Sequence, residues 1–274
     1  MSGVPKLKGL GPSNRERLVV LHRAFAGPFS ADDAADPLGV SRDEAARLTR
    51  YLASKGWLSR VRRGLFTVVP LDTDAPEEWR ADPWLVAARV FAPSYIGGWS
   101  ACEHWGMTEQ LFRSVLVVSA APQRNAYVTI QGTEFRIATR RPGTLFGLRR
   151  VWRGRDRVDV SDPTKTIVDA LDDPSIGGGI RTVADVVREY LNGDLRDDDL
   201  LVSYADRIGN RTVFKRLGYL VETLDVNAAD LADTCLSRRS AGLSKLDPSI
   251  RANGRITKRW GLRVNARIAD EAGV

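Results

Sequence analysis

The most distinctive chemistry in the sequence is a run of basic side chains between residues 42 and 63. Only Asp43 and Glu44 oppose them there. The basic residues are Arg42, Arg47, Arg50, Lys55, Arg60, Arg62 and Arg63. Guanidinium groups form paired hydrogen bonds with phosphate oxygens and with the major-groove edge of guanine. A segment with this charge asymmetry predicts an anion-binding surface suited to nucleic acid.

Residues 41–56 have the pattern of one amphipathic helix that would position several of these side chains. Ser41, followed by Glu44 three residues later, has the capping-box spacing of a helix start. A narrow apolar stripe follows at helical spacing: Ala45, Leu48 and Leu52. We expect Asp43, Arg47 and Arg50 on the opposite face, Arg42 beside them, and Lys55-Gly56 at the end of the helix.

Residues 57–61 and 65–69 are β-rich runs joined by Arg62-Arg63-Gly64, which predicts a hairpin with a basic tip. A polar, basic helix followed by such a hairpin is the order of elements in a winged helix. In that fold the helix enters the major groove and the hairpin contacts the flanking backbone or minor groove. The predicted DNA-binding residues are Ser41, Arg42, Asp43, Arg47, Arg50, Lys55, Arg60, Arg62 and Arg63.

Two domains are expected. Residues 1–72 would form the winged helix-turn-helix domain, with a helix over 14–25 and a short helix that begins after Ser30. An acidic, proline-bearing linker follows. Residues 80–274 would form a larger α+β domain, with antiparallel strands followed by helices and with a basic, irregular tail from Ser237. Trp260, Leu262 and Val264 are candidate anchors for that tail.

Catalytic and metal-binding residues are scarce in this sequence. Cys102-Glu103-His104 supplies three donors, but a tetrahedral metal site needs partners that the remaining sequence does not offer. Gly97-Gly98-Trp99-Ser100 is similar to the phosphate turn of nucleotidyltransferases, yet no acid lies in the strand that follows. The cluster Asp169, Asp172 and Asp173 is interpreted as the solvated end of a helix. We expect no enzyme activity, no metal and no cofactor.

A second basic stretch lies in the hairpins of the larger domain. Its candidate surface residues are Arg140, Arg141, Arg149, Arg150, Arg153 and Arg155. They could extend a DNA footprint or face a negatively charged protein, and the sequence does not choose between the two.

Overall composition is consistent with this interpretation. The 274 residues carry a formal net charge of +7, and the chain has two cysteines and no apolar run of membrane-spanning length. A reducing cytoplasm is therefore the expected compartment.

Several motifs in their order resemble the AbiEi family, the antitoxins of type IV abortive-infection toxin–antitoxin systems. The resemblance is carried by Gly56-Trp57-Leu58, Val61-Arg62-Arg63-Gly64-Leu65-Phe66, Tyr95-Ile96-Gly97-Gly98, Ser100-Ala101, Trp105-Gly106-Met107-Thr108, Phe146-Gly147, Asp162-Pro163-Thr164-Lys165-Thr166 with Asp169, and Lys215-Arg216-Leu217-Gly218-Tyr219-Leu220. It implies a transcriptional autorepressor that binds inverted repeats upstream of its operon. It also implies a nucleotidyltransferase-like toxin as the partner that is counteracted.

Two other hypotheses remain open at this point. The chain could be a lone winged-helix regulator or a protein-interaction module without a toxin. Alternatively, it could be a nuclease or nucleotidyltransferase that uses an unrecognised acidic site.

Overall fold

The N-terminal part of the chain is a winged helix. The computed structural model describes residues 9–70, 73, 75 and 78–268. Its first elements are α1 (Pro12–Ala24), β1 (Phe29–Ser30), α2 (Ala31–Leu38), α3 (Arg42–Ser54), β2 (Leu58–Arg62) and β3 (Leu65–Val68). The three strands form a small sheet in the order β1-β3-β2.

The apolar stripe predicted for α3 is buried in the hydrophobic core of the winged helix. Ala45, Leu48 and Leu52 are buried against α1 and the wing sheet. Leu18 and Leu21 of α1 complete the contact. Burial of each leucine side chain contributes roughly 1.5–3 kcal/mol, so this small core fixes which face of α3 points outward.

Both predicted serine caps are present, and the α3 cap differs from expectation in one respect. At α2, Ser30 and Asp33 form a full capping box. At α3, the Ser41 hydroxyl accepts from the Glu44 amide at 3.2 Å, as predicted. The Glu44 carboxylate, however, accepts from Arg17 of α1 at 2.8 Å. Glu44 therefore ties α3 to α1 and does not complete a box.

The larger part of the chain begins at Asp82, which caps α4 (Pro83–Val90) by accepting from the Trp84 and Leu85 amides. It continues through β4 (Ser94–Ile96), α5 (Gly98–His104), β5 (Ser114–Ser119), β6 (Tyr127–Ile130), β7 (Thr133–Thr139), β8 (Leu148–Arg153) and β9 (Asp156–Ser161). These strands form one sheet in the order β6-β7-β5-β4-β9-β8.

The α+β class is confirmed. The sheet is mixed, whereas antiparallel strands were expected. The β6–β7 and β8–β9 hairpins are antiparallel, as the sequence predicts. β5 with β7, and β4 with β9, are parallel pairs. These pairs join strands that are distant in sequence, and local turn patterns carry no information on their direction.

The last third of the chain is mainly helical: α6 (Pro163–Asp172), α7 (Ile180–Asn192), α8 (Asp198–Ile208), α9 (Thr212–Thr223) and α10 (Ala229–Arg238). The described part of the tail is only partly irregular. It forms a small sheet of β10 (Ser244–Lys245), β12 (Leu262–Val264) and β11 (Arg255–Thr257). Trp260 and Leu262 are buried in the helical core, as predicted, and Val264 is partly buried against it.

Alternate residues of the large sheet pack to opposite sides, as strand geometry requires. Tyr95, Leu116 and Val118 pack on one side with Trp99. Ile96, Val117 and Val160 pack on the other side. Two wing residues, Val61 and Leu65, and Leu85 of α4 join this second cluster. The underside of the wing is therefore covered by the second half of the chain.

The acidic cluster at the end of α6 is not solvated. Asp169 is buried, forms an ion pair with the fully buried Lys165, and accepts from the Tyr95 hydroxyl at 2.7 Å. Burial raises the pKa of Asp169 more than the Lys165 charge and these hydrogen bonds lower it. The motif that includes Lys165 and Asp169 thus holds the helical core against the sheet.

Among the described residues, no helix is both long enough and apolar enough to cross a membrane.

Candidate nucleic-acid interface

The outer face of α3 is polar and open to solvent. Ser41, Arg42, Asp43, Arg47 and Arg50 are exposed, whereas the opposite stripe is buried. Arg47 has no hydrogen-bond or ion-pair partner among the described residues. Its charge is therefore available to an external anion without the loss of an internal contact.

Neighbouring side chains of α3 are partly held in place. Arg50 donates from Nε to the Ala46 carbonyl at 2.9 Å, and Arg42 lies 3.8 Å from Asp32 in an exposed ion pair. Near the helix end, Lys55 lies over the ring of Tyr51, with 5.6 Å between Nζ and the ring centroid. Tyr51 is an exposed aromatic that the basic pattern did not single out. Exposed ion pairs of this kind contribute little to stability and can be exchanged for phosphate contacts.

The hairpin has the predicted basic tip, with Gly64 in a left-handed conformation (φ +76°). A bulge between Arg60 and Arg62 shifts the register, so that Arg62 pairs with Leu65. Arg60, Arg62 and Arg63 are all exposed. The tip thus presents the guanidinium groups of Arg62 and Arg63, and Arg60 adds a third from β2.

The wing is also tied to the second half of the chain. The Gln131 amide donates to the Ser59 hydroxyl at 2.8 Å, and its carbonyl accepts from the Ala81 amide at 3.2 Å. Gln131 adopts a left-handed conformation (φ +49°), which costs free energy for a residue with a side chain. Arg62 donates to the Val90 carbonyl at 3.4 Å. The wing is therefore fixed at its base and at its tip.

The first two helices have their own contacts with the same body. Arg89 of α4 forms an ion pair with Asp33 in the first turn of α2. Burial would raise the pKa of Asp33, but hydrogen bonds from Ser30 and the Arg89 charge outweigh it and lower that pKa. Arg155, at the β8–β9 turn, donates to the His22 and Arg23 carbonyls at the end of α1. That is the end of a helix at which a cation is favoured. No sequence pattern indicated these contacts, because each partner lies more than fifty residues away.

The second basic stretch contains two arginines that are paired within the fold and four that are exposed. Arg140 is half-buried and pairs with Asp173 at 2.8 Å, and Arg153 pairs with Asp82 at 2.7 Å. These two guanidinium groups are engaged inside the fold. The exposed members of the set are Arg141, Arg149, Arg150 and Arg155. Within the predicted set, a basic surface is therefore available from these four, and the exposed Arg157 of the same hairpin adds to it.

Features that suggested catalysis have structural roles in the described residues. A Cβ at Gly98 would lie 2.2 Å from the Ile176 carbonyl oxygen, which explains the glycine pair before α5. The amide of Ile180, at the start of α7 after Gly177-Gly178-Gly179, donates to Asp247 at 3.0 Å. The anion at this helix terminus is thus the chain's own carboxylate. No three His, Cys, Asp or Glu side chains of the described residues are grouped to hold a metal.

The fold and the exposed arginines together define a winged helix-turn-helix of the DNA-binding class. Residues 16–69 match the family model of the transcriptional regulators known as AbiEi antitoxins, and the predicted resemblance to AbiEi-type antitoxins is confirmed over this stretch. The match covers α1 to β3, including α3 and the wing. No curated protein matches the chain.

Proposed function

We propose that this protein is a sequence-specific transcriptional autorepressor and the antitoxin of a type IV toxin–antitoxin system in the cytoplasm. The observation that carries the proposal is the outer face of α3, where Arg47 is exposed beside a wing with a basic tip. The match of the same residues to an antitoxin regulator family supports it. The operator would consist of inverted repeats upstream of the protein's own gene.

The roles of the residues follow from winged-helix docking. Arg42, Arg47 and Arg50 would contact bases and nearby phosphates in the major groove. Arg60, Arg62 and Arg63 would contact the flanking backbone or the minor groove. Ser41, Asp43 and Lys55 would flank these contacts on the same exposed helix.

The test is a titration of the full chain against duplex DNA from upstream of its gene and against a scrambled duplex of equal length. The upstream duplex should bind more tightly, and the ratio of its affinity to that of the scrambled duplex should persist at physiological salt. An Arg47→Ala/Arg50→Ala variant should lose this ratio while it remains folded. Equal affinity of the parent protein for both duplexes would contradict the proposal.

The partner would be a nucleotidyltransferase-like toxin, countered directly or indirectly, and this chain would have no catalytic activity of its own. Asp169, a buried acid of the cluster considered for catalysis, is engaged by Lys165 and Tyr95. An adjacent toxin reading frame whose expression arrests growth unless this chain is co-expressed would support the antitoxin role. A lone regulator would show operator binding without that rescue.

A further inference from the structure

The β8–β9 hairpin carries an aromatic and basic surface outside the winged helix. Arg150 and Trp152 alternate along β8, and Arg157 of β9 faces Trp152 across the pair. These three side chains therefore share one face, which we call the Trp152 platform. Val151 and Val158 point to the other face and pack in the core cluster beneath α4. Because β8 and β9 pair over their whole length, the platform is rigid.

Trp152 has the most exposed aromatic side chain of the described residues, at 60 % of its surface. The Arg157 guanidinium carbon lies 4.0 Å from its ring centroid, a close cation–π contact. This contact holds the indole in one orientation, and the exposed fraction leaves ring surface for a second planar group. A fixed, exposed indole is the feature on which unpaired nucleobases stack.

A groove adjoins the platform and shares its two arginines. It has a volume of about 410 Å³, and Arg150 and Arg157 line it together with Leu145, Leu148 and Pro93. Ser94 also lines it, and the buried Ser94 hydroxyl has no hydrogen-bond partner among the described residues. Asp159 is the acid of this groove; it lies 3.7 Å from Arg150 in an exposed pair that a phosphate can displace.

We propose that the Trp152 platform and its groove bind single-stranded nucleic acid. One base stacks on Trp152, and the adjacent phosphates bind Arg150 and Arg157. Duplex DNA does not suit this surface, because its bases already stack on one another and offer no face to the indole. The positive charge of this surface comes from Arg150 and Arg157, which are both exposed and favour a phosphate backbone over an uncharged partner. The proposal is independent of operator binding by α3.

The experiment measures fluorescence anisotropy of labelled ten-nucleotide deoxythymidine and uridine strands titrated with the full chain. Trp152→Ala should weaken binding by about five- to 150-fold, the equivalent of 1–3 kcal/mol for one stacked base. Trp152→Phe should retain most of the affinity because it keeps an aromatic face. Arg157→Gln should reduce the salt slope by about 0.7, the value for one phosphate of a single strand.

A matched control is available at the opposite edge of the sheet. Tyr127 of β6 is 55 % exposed, and Arg136 lies over its ring at 5.9 Å. Tyr127→Ala should bind both strands like the parent protein. The proposal fails if Tyr127→Ala loses as much affinity as Trp152→Ala. It also fails if uridine monophosphate binds as tightly as the strand, which would indicate a nucleotide pocket.

Titration with the operator duplex distinguishes single-strand binding by the Trp152 platform from operator binding by α3. Trp152→Ala should bind the operator normally, whereas Arg47→Ala should bind the single strands normally. If Arg47→Ala abolishes single-strand binding and Trp152→Ala does not, the strand is held by the winged helix. If neither strand binds the parent protein, the platform is not a nucleic-acid site and a protein partner becomes the better explanation of the exposed indole.

Discussion

Arg89, near the end of α4, forms an ion pair with Asp33, in the first turn of α2. The contact joins the second half of the chain to the helix that precedes α3. Together with the contact of Arg155 with the end of α1, it sets the direction in which the exposed face of α3 points. The surface proposed to bind DNA is therefore oriented by residues that do not touch DNA.

Two single variants test whether α3 contacts bases and the wing contacts the DNA backbone. Arg47→Ala should cost about 1–3 kcal/mol on the operator and relax its sequence preference, because a base contact is lost. Arg62→Ala should weaken operator and scrambled duplexes alike and reduce the salt slope by about one. Both variants are to be titrated on both duplexes at several salt concentrations. Equal losses on both duplexes for both variants would refute this difference between α3 and the wing, and no loss for either would refute the interface.

The isolated segment of residues 1–69 should retain specific but weaker operator binding. Its own core is complete, but Val61 and Leu65 would lose the cover they have from Leu85 and the large sheet. The free energy of unfolding should therefore be lower than that of the same segment in the full chain. Mobility-shift titrations and urea melts of the segment check both points. Specific binding by residues 82–274 in place of residues 1–69 would show that the interface is misassigned.

Gly218→Ala should destabilise the protein although alanine is the better helix former. In an exposed helix interior this change is favourable by about 0.8–1.0 kcal/mol. Here a Cβ at residue 218 would lie 2.0 Å from Cη2 of the buried Trp260. Overpacking of this kind costs about 1–3 kcal/mol, which a urea melt resolves. The same change in a Trp260→Phe background should cost less, because the smaller ring withdraws the clashing atoms.

Removal of one partner of the buried Lys165–Asp169 ion pair should strongly destabilise the protein. Lys165→Met leaves Asp169 buried without its cation, and the free energy of unfolding should fall by about 3–5 kcal/mol. The double variant Lys165→Met/Asp169→Leu should be more stable than the single one, since no isolated charge remains. Arg188→Met is a suitable control: its partner Asp185 is on the surface, and the expected change is about 0.5 kcal/mol or less.

Neither cysteine should react in the folded protein. Burial raises the pKa of the Cys102 and Cys235 thiols to about 12, so almost no thiolate forms at pH 8 or 9. An aromatic disulfide reagent should modify both residues only after denaturation. An exposed control, Ser237→Cys, should react at once. Rapid labelling of the native parent protein would show that the helical core opens more readily than its packing indicates.

Local patterns predicted the parts of this molecule whose physical causes are local. The face of α3, its serine cap and the glycine at its end depend on residues within a few positions of one another. The two-residue strand β1 was missed, because its support is pairing with β3, where Phe29 pairs with Phe66, thirty-seven positions away. α10 was missed as well, since its burial depends on packing against α9.

The interpretation of Asp169 failed for the same reason. Lys165 precedes it by one helical turn, as in many exposed ion pairs. The face of α6 that carries Asp169 points inward, where the Tyr95 hydroxyl, seventy-four positions away in sequence, donates to the carboxylate. Arg140 was likewise expected on the surface, and its pairing with Asp173 depends on the packing of the sheet edge against α6. The exposure of the α3 arginines was more predictable than the contacts that orient the helix, because the exposed face of a capped amphipathic helix is encoded locally.

Under the proposed binding to inverted repeats, Gln131 has a consequence for the spacing of the two half-sites. Its side chain joins the Ala81 amide to the Ser59 hydroxyl, so a side-chain bridge holds the wing at a fixed separation from the large sheet. The number of residues between Val69 and Ala81 would then have no influence on how far a bound copy extends along DNA. We expect residues inserted into this connection to leave the tolerated distance between inverted repeats unchanged, whereas Gln131→Ala should broaden it.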